Sequence, residues 1–348
     1  MVFSTAENIE ASSAWEHSYK LLQYGLHSIF MHTLNEKHTL EYGAEISLYS
    51  LDRGKLLPYG KKSLLSEVVL GKEKGIENSL FVSDLWKLKE WLTINAGFRY
   101  SFFNPLGPAE VYLYAEGSPV DRRYITDTLT YGKNKAIRWY DEPEFRIAVN
   151  LITDENGSLK FSFNQMHQNL FMLNTSMTLA PNTQWKLADY HLAPSESRQV
   201  SFGAFRTLPN HGLEGSFEVF FKRSDNFPEF RGGADFLRNA LVETNVLQGK
   251  QEAYGFEVYI KRSRRKLEGW LSYTYSRSLV KVTGEHSWEK INNGFTYPSD
   301  YDIPNSLNAV MNYYFSRRVI LSAILTYRTG RPVTYPESVY YLNGSPFL

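Results

Sequence analysis

The chain has 348 residues, 22% of them charged and 43% hydrophobic, with 38 Lys and Arg against 37 Asp and Glu. That near-zero balance excludes the broad basic face of a nucleic-acid binder, and the composition excludes a disordered chain. No cysteine is present, which excludes disulfide frameworks and thiolate metal sites, and no apolar run approaches the ~18 residues of a membrane-crossing helix. The aromatic share is 15%, with 24 Tyr and 22 Phe; both residue types suit strands and water–lipid boundaries.

The first fifteen residues carry Glu7 and Glu10 and no apolar stretch. Residues 1–18 therefore read as a lead-in without an export signal, ahead of a single domain that fills the chain. One rhythm follows: two alternating segments, a tight turn, then a long polar connection. The first hairpin is expected at 24–31 and 40–49 around Asn35-Glu36-Lys37, the second at 80–86 and 92–102 around residues 87–90. The third, at 145–151 and 159–163, turns on Asp154-Glu155-Asn156-Gly157, where Asn-Gly is a strong hairpin signal. The fourth, at 199–205 and 213–222, turns on Pro209-Asn210-His211-Gly212. The fifth, at 254–261 and 267–276, turns on Ser263-Arg264-Arg265, and the sixth, at 307–315 and 319–327, on Ser316-Arg317-Arg318.

The connections between hairpins are long: 52–78, 105–141, 168–195, 224–247 and 280–305. Structureless loops of that length are uncommon in compact soluble domains. Short turns at one end and long loops at the other are the plan of an outer-membrane barrel, with periplasmic turns and extracellular loops.

The faces agree with that plan, because side chains alternate across a strand. Leu92, Ile94, Ala96, Phe98, Tyr100 and Phe102 share one face, while Thr93, Asn95, Arg99 and Ser101 share the other. Leu40, Tyr42, Ala44, Ile46 and Leu48 likewise oppose Glu41, Glu45 and Ser47, whereas Asp84 falls on the apolar side of its strand. A soluble β-sandwich would alternate in the same way. Aromatics at apolar-face strand ends (Trp86, Phe102, Tyr275, Phe315, Tyr327) and the strand lengths favour the membrane wall.

Ordered motifs sharpen the reading. Gly97-Phe-Arg-Tyr-Ser101 is followed by Pro143-Glu-Phe-Arg146, Leu159-Lys-Phe-Ser-Phe-Asn164, the run 168–175 and Pro181-Asn-Thr-Gln-Trp185. Then come the runs 247–258, 269–278, Tyr297-Pro-Ser-Asp-Tyr-Asp-Ile-Pro304, 308–314 and Tyr327-Arg-Thr-Gly-Arg-Pro-Val-Thr-Tyr-Pro336. Their order and strand-like spacing resemble the mid-to-late barrel of TonB-dependent outer-membrane receptors, especially the Bacteroidetes type, over residues 22–341.

The resemblance implies an all-β antiparallel transmembrane barrel, partial, with about twelve of the family's twenty-two strands. It implies uptake of a scarce ligand (a siderophore, cobalamin, an oligosaccharide or a peptide), powered through a plug domain and the TonB system. A surface lipoprotein is a further partner it allows, and lipid the surrounding medium. The family's signal, TonB box, plug and closing strand are not recognisable, so an incomplete receptor is expected. A passive porin-like or structural barrel without TonB coupling is the alternative, and a soluble β-rich binding module a third.

Two sets of site residues follow from the wall plan. Glu41, Glu45, Arg99, Lys160, Asn164, Glu218 and Lys222 would line a polar lumen and meet plug or solute. The loop aromatics Trp139, Tyr140, Phe171, Trp185, Tyr190 and Trp288 are placed to stack on a sugar or another planar ligand, or to pack their loops. Gly-x-Ser-x-Gly, His-Glu-x-x-His and phosphate-loop patterns do not occur, so no catalytic residue and no cofactor are expected. His27 and His32 would face opposite sides of a strand, which argues against a shared metal, and Glu285, Asp300 and Asp302 follow no Ca²⁺-loop spacing.

Overall fold

The computed structural model describes residues 2–8, 14–173, 183–236, 238–264, 266–333, 340–342 and 345–347. Parts of four runs named above, at 174–175, 181–182, 265 and 334–336, and Glu10 of the lead-in lie outside the described residues. Among the described residues, thirteen strands follow one another through a continuous antiparallel sheet in which chain order is also spatial order, and two strands of two residues each pair beside that path. They are β1 Val2–Asn8, β2 Trp15–Thr33, β3 His38–Pro58, β4 Lys72–Lys89, β5 Leu92–Leu106, β6 Tyr140–Asp154 and β7 Gly157–Gln168. The remainder are β8 Ser195–Leu208, β9 Leu213–Phe230, β10 Val246–Arg264, β11 Leu267–Lys281, β12 Asn305–Ser316 and β13 Val319–Arg328.

All six expected hairpins are present, as β2–β3, β4–β5, β6–β7, β8–β9, β10–β11 and β12–β13. Their turns are built by local chemistry. The Asn35 side chain accepts the N–H groups of Lys37 and His38 at 2.8 and 3.0 Å, and Asp154 accepts that of Asn156 at 2.9 Å. Gly212 closes its turn with φ +60°, a left-handed conformation that a side chain would strain. Residues 1–18, expected only as a lead-in, contain β1 and the start of β2, which pair from Val2 opposite Leu21 to Asn8 opposite Trp15.

The expected strand limits are too short. β3 has 21 residues and β2 and β10 have 19 each, so the hairpins rise well beyond the alternating segments. The expected connections shrink to match, and most contain order of their own. Ala109–Tyr114 pairs with Ile125–Tyr131, and Leu170–Leu173 pairs with Gln184–Leu187. The physical reason is that polarity alternates only where one face meets apolar surroundings. Farther out polar and apolar residues mix on both faces, and the strands continue by backbone pairing and by packing against the folded connections.

The register assembles an apolar band across the sheet. Phe30 faces Tyr42, Tyr42 faces Val82, Val82 faces Phe98 and Phe98 faces Phe145. Farther along, Phe161 faces Phe202, Phe202 faces Val219, Val219 faces Phe256 and Phe256 faces Tyr275. No second sheet covers this band among the described residues, as a soluble sandwich would require; Leu26 is 70% exposed and Leu80 66%. Asp84, the exception on that face, lies near the short turn and pairs with His38 Nδ1 at 2.6 Å. The main buried cluster lies elsewhere, where the long connections fold down on the opposite face.

Candidate functional site

The face opposite the apolar band is a polar wall. Register places Glu41, Ser83, Gly97, Arg146, Asn164, Gln199 and Lys222 in one row across seven strands. A second row runs Glu45, Ser79, Ser101, Glu142, and Lys160, Gly203, Glu218 and Glu257 form part of a third. All seven polar residues expected on a lumen face thus share the face that turns away from the band. Lys160 lies over the Phe205 ring, 4.5 Å from its centre.

Around Arg99 this wall becomes a network. Its guanidinium lies 2.9 Å from Glu45 and 3.7 Å from Glu77. His27 Nδ1 is 3.4 Å from Glu45, and the Tyr49 hydroxyl donates to Glu77 at 3.2 Å. Glu144 accepts the His167 N–H at 2.9 Å and lies 3.4 Å from Arg146, while Asn169 Nδ2 donates to Glu142 at 3.1 Å. A hollow of about 440 Å³ opens beside the network, bordered by His27, Glu41, Phe81, Arg99, Arg146 and Asn164.

Toward the long-connection end the wall is covered. Phe103, with Tyr49 and Tyr140 beside it, packs against Phe171, Leu173, Leu187, Leu192, Phe236 and Val242 from two connections. Tyr49, Phe103 and Tyr140 all sit on the polar face, because Gly75 is opposite Tyr49, Glu77 is opposite Phe103, and Phe103 is opposite Tyr140. The connections therefore fold inward over the wall. Among them lies a cleft of about 450 Å³, bordered by Arg53, Lys72, Glu73, Lys186, Asp189 and Tyr190.

The six loop aromatics do not form one site. Phe171 is fully buried in the cluster, and Tyr140 lies at its edge with its hydroxyl donating to the Asp189 carbonyl. Tyr190 sits beside them, with Arg138 over its ring at 5.6 Å, and Trp185 is half-buried on the strand Gln184–Leu187. Trp139 lies apart, 66% exposed and 6.3 Å from the Phe102 ring, at the border of the apolar band. Trp288 stacks on His286 at 4.5 Å within its own loop. Asp302 is occupied too: it accepts the Ser278 N–H at 2.7 Å and pairs with Arg277 at 3.1 Å.

The polar groups that tie wall to connections, namely Arg53, Glu73, Glu77, Lys186 and Asp189, fell in or beside segments expected as loops. Glu73, Gly75 and Glu77 keep the face of Ser79 and Ser83, but Lys72, Lys74 and Asn78 make the other face polar as well, so no alternation marked them.

The antiparallel wall, with one apolar and one polar face, tight turns at one end and folded connections at the other, matches in fold part of the barrel of TonB-dependent receptors. The chain resembles the FrpB iron transporter of Neisseria meningitidis at 12% identity and TM-score 0.55, over 87% of its own length and 41% of that chain. It resembles the copper transporter OprC at 10% identity and TM-score 0.59, covering 89% of itself and 45% of OprC. It also resembles the Serratia marcescens hemophore receptor HasR, whose structure holds its hemophore HasA and heme, at 14% identity and TM-score 0.54, over 90% of itself and 52% of HasR. These neighbours are transporters and receptors, not enzymes, and the chain spans about half their length. Neither a protein-family model nor a curated protein sequence matches it.

Proposed function

We propose that the chain is wall material of a bacterial outer-membrane receptor that takes up a scarce ligand under TonB control. The observation that carries this reading is the two-faced wall: a continuous apolar band outside and the Arg99 carboxylate network inside, on a backbone that follows known receptor barrels. The band suits lipid, since only closed barrels and helices satisfy their backbone there. The network suits contact with a plug domain or a passing solute.

Among siderophores, cobalamin, oligosaccharides and peptides, the cargo we favour is a metal-bearing small molecule, because the neighbours above are named for iron, copper and heme. A surface lipoprotein partner and a Bacteroidetes origin rest on the sequence motifs alone.

The test is uptake in the bacterium that encodes the chain. Deleting its coding region is expected to lower accumulation of labelled iron chelates, and deleting tonB to lower it equally. Uptake that survives loss of tonB would point to the passive porin-like alternative. Recovery of the chain from the soluble fraction without detergent would overturn both membrane readings.

A further inference from the structure

Four charged groups lie where the connections meet the polar wall, and two come from each side. Arg53 and Glu73 belong to β3 and β4, and Lys186 and Asp189 to the connection between β7 and β8. Arg53 and Lys186 are only 3% and 4% exposed. Glu73 lies 3.8 Å from Arg53 and 3.1 Å from Lys186, and Lys186 also pairs with Asp189. The second Glu73 oxygen accepts the Leu187 N–H at 2.9 Å. Arg53 reaches both covering segments, donating to Gln184 Oε1 at 3.2 Å and to the Ala240 carbonyl at 3.3 Å.

We propose that residues 169–173, 183–192, 231–236 and 238–245 form an inward cap on the wall, latched by Arg53, Glu73, Lys186 and Asp189 and released when the latch loses Glu73.

Two features make this a latch and not simply packing. The first is electrostatic. Buried ion clusters add little stability in themselves, yet removing Glu73 leaves the buried Arg53 without its carboxylate and Lys186 paired only with Asp189 on its own side, so the ionic tie across the junction depends on one residue. The second is polar dissatisfaction beneath the cap. Arg53 Nε, Ser79 Oγ, Glu142 Oε1, Asn169 Oδ1, Thr183 Oγ1 and Gln184 Nε2 are buried without a protein partner. Each costs free energy while the cap is down and meets water when it lifts. The closed state thus combines the apolar cluster around Phe103 with a few ionic ties, over a polar floor that favours opening. The idea rests on the wall facing a lumen, but its test is local and independent of any cargo.

Trypsin reads the latch directly in the full chain in detergent micelles. Lys186 is buried in the latch, whereas Arg123, 79% exposed in another connection, is an internal control. In the wild type, Arg123 is expected to be cut and Lys186 spared. Glu73→Ala is expected to speed cleavage at Lys186 by at least about tenfold, with Arg123 and the strand amides of β4–β7 unchanged. If Glu73→Ala fails to fold, Lys186→Met keeps the side-chain stem without its charge, and amide exchange at Leu187 then reports release. Wild-type cleavage at Lys186 as fast as at Arg123 would overturn the proposal. So would a Glu73→Ala chain still protected at Lys186, or one that loses strand protection together with the cap.

Discussion

Asp189 shows how one residue carries both structure and a pH response. Burial works against its charge, but Lys186 beside it and the N–H groups of Leu192 and His191 outweigh that and hold its carboxyl below the usual range. The charged and titratable groups around it are Lys186, Glu73, Arg53, His191 and Glu243. A depressed carboxyl contributes stability that is complete above its ordinary pKa, about 3.9, and is lost as pH falls through the lower folded value. Protection of the Leu192 amide, corrected for intrinsic exchange, should therefore stay flat from neutral pH to about 5 and fall below about 4. Asp302 anchors another loop through its hydrogen bonds. Asp302→Ala would leave the Ser278 N–H and Arg277 without their acceptor, a local cost of about 1–3 kcal/mol. Faster exchange at Ser278, with β8 and β9 unchanged, is the expected result.

At the scale of single strands, neighbouring residues on β9 should respond oppositely to the same charge. Val219 belongs to the apolar band between Phe202 and Phe256, while Glu218 belongs to the polar wall between Gly203 and Glu257. Val219→Arg is expected to cost about 2–4 kcal/mol of stability in the membrane-embedded barrel and to lower the amount assembled. Glu218→Arg is expected to leave assembly nearly unchanged. Heat-dependent gel mobility of the outer-membrane fraction measures both, and equal loss in the two variants would refute the assignment of faces. The six hairpins were legible because turn chemistry and alternation coincide in them. The outer strand halves, such as residues 50–58 and 72–79, were not, because their polar residues lie on both faces and resemble a loop.

At the scale of the molecule, the described sheet has a free edge at β13. All ten of its residues are exposed, and Ile320, Leu321, Ile324 and Leu325 put apolar groups on both faces. An apolar edge with unpaired backbone is a template for another strand. The purified chain in detergent is therefore expected to associate beyond a monomer, by light scattering after size exclusion. Ile324→Pro, which removes a donor on the open edge and obstructs pairing, is expected to reduce that association. An unchanged mass would place the contact elsewhere.

The sequence by itself determined most of the wall: twelve of its thirteen strands in order, the six hairpin turns, and which residues of the alternating segments share a face. These are local properties, set by period-two alternation and, at three of the turns, by Asn, Gly or Pro. The site was legible in part. Glu45 and Arg99 were recognisable as wall residues, but nothing local could say that they pair across β3 and β5, or that Glu77 and Tyr49 complete their network. The fate of the loop aromatics was decided only by tertiary structure, which buries Phe171, leaves Trp139 at the border of the apolar band and sets Trp288 against His286. The cap belongs to the same category. Arg53 meets Gln184, 131 residues away, and Ala240, 187 residues away. Such contacts depend on how long connections fold back over the sheet, and no short-range pattern encodes that.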